Sequence, residues 1–200
     1  MTIIAFISQK GGVGKSTLSQ ALATEARKKK LKTLLADCDH QQASSYQWSK
    51  IQSKIPCQVF NSVKEIWPLA NKYDLIVIDA PARTSQATQE IAEKADLIIQ
   101  PTGASRLDLV PAVKEFHALK EVGIDKKKLL FIPLRLSNQT ETQVIQAYLK
   151  KTSYACSTFY VMEKASYKQI QNEGKTITEV KYKKLAQQAQ KLIDSLLDYL

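Results

Sequence analysis

The chain has 200 residues, of which 44% are hydrophobic and 24% charged, and its 29 Lys and Arg against 19 Asp and Glu leave a net charge of +10. Such a composition excludes a wholly disordered or collagen-like polymer, and a chain of this length can bury a core without metal or disulfide help. The basic surplus favours polyanionic partners, either nucleic acid or an anionic membrane surface. Cys38, Cys57 and Cys156 form no Cys-x-x-Cys pair, so a zinc ribbon, a metal cluster or a disulfide scaffold is not expected, and free thiols suit a reducing cytoplasm. No apolar run approaches the roughly 20 residues of a bilayer span. Met1–Ser8 lacks the basic region of a signal peptide.

In chain order, the pattern predicts a strand over Ile3–Ser8, a helix over Lys15–Lys30 and a strand over Thr33–Asp37. A helix over Val63–Lys72, a strand over Leu75–Asp79 and a helix over Ser85–Ala95 follow. Strands over Leu97–Pro101 and Leu129–Pro133 flank a helix over Leu107–Val122; a helix over Glu141–Lys151 and a strand over Thr158–Val161 come next. Helices over Ala165–Asn172 and about Glu179–Leu200 close the chain. Most of the strand runs are continuously apolar, as in strands covered on both faces. The alternation predicts an α/β fold: a doubly wound, mostly parallel sheet with helices on both faces, in one domain over residues 1–200. In such sheets ligands bind beyond the carboxyl ends of the strands.

The residues after the first strand read Gln9-Lys10-Gly11-Gly12-Val13-Gly14-Lys15-Ser16-Thr17. Gln9 stands where the usual phosphate loop has its first glycine, so the motif is a variant, Lys-Gly-Gly-x-Gly-Lys-Ser/Thr. Glycines let backbone N–H groups curl around phosphate oxygens, and the following helix turns its positive end to the anion. Lys15 is expected on the β- and γ-phosphates, Ser16 on Mg²⁺ and Thr17 on the α-phosphate of ATP. Lys10 precedes the glycines and cannot easily fold back on its own phosphates. It suits a role across a subunit boundary, like that of an arginine finger.

Two strand ends carry acids. Asp37-Cys38-Asp39 puts carboxylates two apart on an extended chain; one can orient the attacking water, the other support the loop or the metal's shell. Leu75-Ile76-Val77-Ile78-Asp79 delivers a carboxylate to the metal's water shell, with Asp37 as a second candidate there. Asp74 reads as a turn residue, His40 as a neutral histidine filling a turn, His117 as structural or surface, and Trp48 and Trp67 as core residues.

These blocks resemble the ParA/MinD group of deviant Walker-A ATPases. Leu97 to Gly103 through Leu107-Asp108-Leu109 resembles the group's Pro-x-x-x-Ser-x-Leu-Asp segment, and Tyr167 to Gly174-Lys175 and Glu179 resembles a segment of partition ATPases. The likeness spans residues 2 to about 180 and leans towards short ParA proteins of plasmid partition loci. It implies a weak ATPase forming an ATP-sandwich homodimer, with Lys10 on the partner's phosphates and Asp39 positioning water. It further implies nonspecific binding to double-stranded DNA and a ParB-type, centromere-bound adaptor, on the nucleoid in the cytoplasm. Arg135 alone remains of an Asn-Arg pair near the adenine, Lys164 replaces an Arg, and His40 replaces a Pro.

Nine lysines against three glutamates lie between Lys150 and Lys191. Within that stretch Lys164, Lys168, Lys175, Lys181, Lys183 and Lys184 are the expected DNA contacts. A MinD-like membrane switch would need a free basic amphipathic tail, whereas the last helix ends without a terminal lysine and reads as core. A DNA-transfer accessory ATPase of the same group is a further reading. A metabolic P-loop reductase would need cluster cysteines, and a carboxylating synthetase has no need of Lys10.

Overall fold

A computed structural model describes residues 1–52, 55–82 and 85–200, apart from the side chain of Ser85. Its elements are β1 (Thr2–Phe6), α1 (Lys15–Lys28), β2 (Thr33–Asp37), α2 (Ser44–Ser49), β3 (Cys57–Val59), β4 (Leu75–Asp79), α3 (Ser85–Lys94) and β5 (Leu97–Thr102). Then come α4 (Arg106–Glu121), β6 (Leu129–Leu136), α5 (Gln139–Lys150), β7 (Ala155–Cys156), β8 (Val161–Met162), α6 (Ala165–Asn172) and α7 (Lys183–Leu197).

The strands form one sheet in the order β3-β2-β4-β1-β5-β6-β7, with β8 also against β6, and every pairing is parallel. Parallel strands require crossovers, and the helices that supply them cover both faces. Alternate side chains of β1 show this division. Ile3, Ala5 and Ile7 join Phe116, Ile145 and Ile91 on one face, and Ile4 and Phe6 join Leu18, Leu22, Leu192 and Leu196 on the other. β1, β2 and β4 therefore read as nearly unbroken apolar runs, because both of their faces are core.

Register positions the chemistry. Phe6 pairs with Asp79, and Asp37 also pairs with Asp79. The last residues of β1, β2 and β4 thus lie side by side at the carboxyl edge, where the glycine loop leaves β1.

Several elements differ from expectation. The run Val63–Lys72 is two 3₁₀ turns, Val63–Glu65 and Trp67–Lys72, rather than an α-helix, because Pro68 has no N–H to give an α-helical ladder. Of the strand expected over Thr158–Val161 only Val161 is in a strand, as the first residue of the two-residue β8, and the two-residue β7 precedes the span. The last helix starts at Lys183, since Glu179 closes a capping box with Thr176 and Val180 is extended. Neither α2 nor β3 is evident from the sequence pattern. Trp48 is core, and Trp67 packs half-buried against the other cluster. Asp74 does bind a turn: its Oδ2 accepts from the Lys32 N–H at 2.8 Å. Ala189, Leu192, Ile193, Leu196 and Leu197 of α7 are buried, so its apolar stripe is covered by the core.

Candidate nucleotide site

The loop between β1 and α1 bends only because of its glycines. Gly12 and Gly14 have φ of 72° and 103°, a region that L-residues with a Cβ avoid. Gly14 is also crowded, since a Cβ there would lie 2.2 Å from Leu134 Cδ2. α1 starts at Lys15, directly after it. The unpaired N–H groups and positive end of α1 therefore face a cleft of about 280 Å³ lined by Gly11, Gly12, Gly14, Lys15, Ser16, Thr17, Asp39 and Asp79. Val13 is buried and turns inward. Lys15 is almost fully buried, with Nζ 3.5 Å from the Ser8 carbonyl. Burial lowers its pKa, and the carboxylates of Asp79, Asp39 and Glu115 oppose that shift.

The acids have distinct settings. Asp79 is buried, and the Ser45 hydroxyl donates to its Oδ2 at 2.7 Å. Burial pushes its carboxyl up to about 6, against the pull of the Ser45 and Ser16 hydroxyls. Its Oδ1 has no partner. A buried carboxylate oxygen left open beside a serine hydroxyl, at the mouth of an anion cradle, fits a hard, oxygen-seeking cation such as Mg²⁺. Asp37 is set differently. Its Oδ2 accepts from the N–H groups of Ser45 and Tyr46 at 2.9 and 3.0 Å, and its Oδ1 from that of Asp39 at 3.1 Å. Both oxygens thus hold backbone, tying α2 to the end of β2, and Asp37 is not among the residues lining the cleft. Asp39 lines the cleft and also a larger adjoining cavity of about 620 Å³ that includes the exposed His40.

The structure adds residues that the motifs do not mark. Gln171 Nε2 on α6 donates to Thr17 Oγ1 at 3.2 Å and to Gln20 Oε1 at 3.0 Å. Gln20 Nε2 donates to Ser45 Oγ at 3.3 Å, and Ser45 in turn holds Asp79. This chain joins α6, α1, α2 and β4 around the cleft. Its one sequence signal is Gln20, a polar residue on the apolar stripe of α1. Behind the loop, Glu115 Oε2 on α4 accepts from the Gln9 N–H at 3.3 Å and from Gln100 Nε2 at 2.6 Å.

A second cleft of about 200 Å³ continues from Gly12, Gly14 and Thr17 along the ends of β6 and β8, with Leu134, Val161, Met162, Tyr167 and Ile177 as apolar lining. Arg135 closes it. Its guanidinium donates to the Gly12 carbonyl and, at 3.1 Å, to Glu163 Oε1. An apolar cleft beside a phosphate cradle can take the apolar, planar part of a ligand.

Lys10 lies outside the cleft that Lys15 lines. It is exposed and its ammonium pairs with Asp108. Asp108 sits in the first turn of α4, where the Ser105 hydroxyl also donates to it at 2.7 Å. The six lysines expected on DNA lie on or beside α6 and the start of α7, which the Tyr167 hydroxyl joins by donating to the Leu185 carbonyl at 3.0 Å. Lys164 and Lys168 line the second cleft, Lys168 paired with Glu163 at 3.0 Å. Lys175 pairs with Glu173 at 3.1 Å and lines a separate cavity. Lys181, Lys183 and Lys184 are exposed at the start of α7. His117 is exposed, with Nδ1 2.8 Å from the Tyr154 hydroxyl.

Comparison with known proteins agrees with this architecture. The family described as the CobQ/CobB/MinD/ParA nucleotide binding domain matches residues 4–187. Maintenance of carboxysome distribution protein A of Gloeobacter kilaueensis is 29% identical over 125 residues, 58% of this chain and 55% of that protein. The chain thus spans about half the length of that relative. Apo McdA of Cyanothece superposes with a TM-score of 0.75 at 20% identity, over 98% of this chain and 99% of that one. A plasmid partition protein from Borrelia burgdorferi bound to AMPPNP gives 0.68 at 18% identity, over 97% and 98%. The fold is that of P-loop NTPases, a parallel central sheet with helices on both faces.

Proposed function

The chain belongs to the CobQ/CobB/MinD/ParA family of nucleotide-binding domains, and we propose that it is a ParA-type ATPase whose ATP-bound homodimer engages DNA nonspecifically to position or segregate a DNA cargo. Residues 1–200 act as one unit in this reading. Lys15 and the N–H groups from Gly11 to Thr17 hold the phosphates, and the apolar slot under Arg135 takes the adenine. Ser16 and Asp79 would hold Mg²⁺, which would supply charge neutralisation for the phosphoryl group being transferred. Asp37 keeps the Asp39 segment in place, and Asp39 orients the attacking water. Water adds to the γ-phosphorus as its bond to the bridging oxygen breaks, giving ADP and phosphate.

The observation that carries the reading is Lys10. A second lysine adjoins the phosphate loop yet stands outside its cleft, held by Asp108. Leu107, next to Asp108 in the first turn of α4, is 79% exposed. A cation and an exposed leucine beside the nucleotide suit a face that a second copy covers, with Lys10 leaving Asp108 for the partner's phosphates. The names of the similar proteins, from carboxysome distribution to plasmid partition, support a positioning role. A ParB-type adaptor as stimulator, and the nucleoid in the cytoplasm as the place of work, complete the proposal. A membrane switch is disfavoured because α7 buries its apolar stripe. No helix among the described residues is long and apolar enough to cross a membrane.

The test is binding to random-sequence duplex DNA with ATP, ADP or no nucleotide, at two salt concentrations, alongside sedimentation. Dimerisation and tight, salt-sensitive DNA binding only with ATP are expected. A monomer in all three conditions, with no DNA binding, would overturn the proposal.

A further inference from the structure

Because every strand pairing is parallel, the segments that enter the strands all lie at one edge of the sheet, opposite the nucleotide cleft. These segments, residues 29–32, 72–74, 93–96, 120–128 and 150–151, carry eleven lysines and five carboxylates. The surplus of six is more than half of the net +10 of the whole chain. Lys29 pairs with Asp194, and Lys128 donates to the Ala95 carbonyl. The other nine ammonium groups have no partner among the described residues.

Part of this fringe has a local explanation. α3, α4 and α5 end at this edge, and a lysine in the last turn of each, Lys94, Lys120 and Lys150, offsets the negative end of its helix. Lys30, Lys32, Lys72, Lys126, Lys127 and Lys151 lie past the last turns of the α-helices, Lys151 as the C-cap of α5 and Lys72, Lys126 and Lys127 in short 3₁₀ turns. All six are exposed. Meanwhile Asp74, Asp96 and Asp125 are bound to the backbone N–H groups of Lys32, Ile3 and Lys127, at 2.8, 2.8 and 2.9 Å, which turns them to the chain rather than to the ammonium groups.

We propose that this amino-terminal edge of the sheet is a docking surface for the phosphate backbone of duplex DNA. The proposal rests on the DNA-binding reading above and names a surface for it other than the C-terminal lysines. The cations are spread along the edge from β2 to β7, five strand spacings, or about 24 Å at roughly 4.8 Å each. That length matches about seven base pairs at roughly 3.4 Å per step along one strand. The edge offers little to insert into lipid: its exposed large apolar side chains are few and sit on different segments, Met1, Val122, and Tyr199 with Leu200 just past α7, whose Asp194 pairs with Lys29 at this edge. Charge without a contiguous apolar face suits a phosphate backbone. The location also leaves the opposite edge free, so nucleotide binding and the Lys10 face are not covered by bound DNA.

The test is the fourfold variant Lys30→Gln, Lys32→Gln, Lys126→Gln and Lys127→Gln, set against the threefold variant Lys181→Gln, Lys183→Gln and Lys184→Gln. Binding to random-sequence duplex is titrated over salt with ATP present, and binding of a fluorescent nucleotide reports an intact fold. Each lost phosphate contact lowers the slope of log K against log salt by about 0.9. The fourfold variant should therefore lose about 3 to 4 of that slope, and about tenfold or more in affinity, with nucleotide binding unchanged. Wild-type slope and affinity in the fourfold variant would overturn the edge surface; if the threefold variant then lost binding, the DNA-binding reading would stand without it. No duplex binding by the wild type in any nucleotide state would overturn both. Loss of binding to phosphatidylglycerol vesicles with duplex binding retained would assign the edge to lipid and overturn the proposal.

Discussion

Glu115 makes the stability of the nucleotide-free protein depend on pH in a way that one substitution should reveal. Glu115 is 4% exposed, behind the phosphate loop. Burial raises its pKa from 4.5 to about 7, opposed by the Gln9 N–H, the Lys15 charge and the Gln100 amide. An acid that keeps its proton longer when folded stabilises the fold most at low pH. The unfolded chain releases the proton near 4.5 and the folded one near 7, so stability is lost as pH rises through that window and is level above it. At about 1.4 kcal/mol per pH unit, the loss is roughly 3 kcal/mol. Glu115→Gln keeps an oxygen to accept from Gln9 and Gln100 but cannot ionise. Urea unfolding at pH 5, 6, 7 and 8 without nucleotide should show the variant gaining roughly 2–3 kcal/mol on the wild type between pH 5 and 8. Asp79, raised to about 6, contributes the same slope to both proteins and cancels in the difference. Parallel stability curves would refute the account and mean that Glu115 ionises freely in the fold.

Three further outcomes follow from the site. Gly14→Ala forces a Cβ at φ 103° to within 2.2 Å of Leu134 Cδ2, so urea unfolding should show a loss of about 2–5 kcal/mol. Adding Leu134→Ala should remove only the packing part of that loss, and strict additivity of the two changes would contradict the contact. Lys15→Ala removes the buried ammonium of the cleft and should weaken nucleotide binding, measured by calorimetry, about ten- to a hundredfold; wild-type affinity and turnover would refute the site. Lys10→Ala should hold nucleotide affinity within about twofold, since Lys10 lies outside the cleft, yet weaken ATP-dependent self-association in sedimentation. Unchanged association together with wild-type hydrolysis would refute the trans role.

The site was legible where chemistry constrains consecutive residues. Gly11 to Thr17 must supply glycines, a lysine and hydroxyls in one order, because a single loop wraps the phosphates. Asp79 was legible because it ends an apolar run. Asp37 was visible too, but its role was not. Only the fold brings Ser45 and Tyr46 to its oxygens, making it a support for α2. α2 itself could not be read, since Ser44–Ser49 has no apolar period and is anchored by that distant carboxylate. β3 is three residues at the sheet edge, two half-buried and Gln58 exposed, too short to leave a pattern. Gln171 lies 154 residues from Thr17, and no local spacing links them.

The charge distribution divides in the same way. Along the chain the lysines crowd towards the C-terminal quarter. In space Lys164 and Lys168 border the second cleft, while lysines from five separate segments meet at the opposite edge. The amino-acid sequence by itself determined the alternation of buried strands with helices, the anion cradle and the acids at the strand ends, because period and motif are local properties of the chain. Tertiary structure alone decided which polar groups share a bond and which charges share a face, because parallel pairing carries every strand start to one edge however far apart the starts lie in the chain.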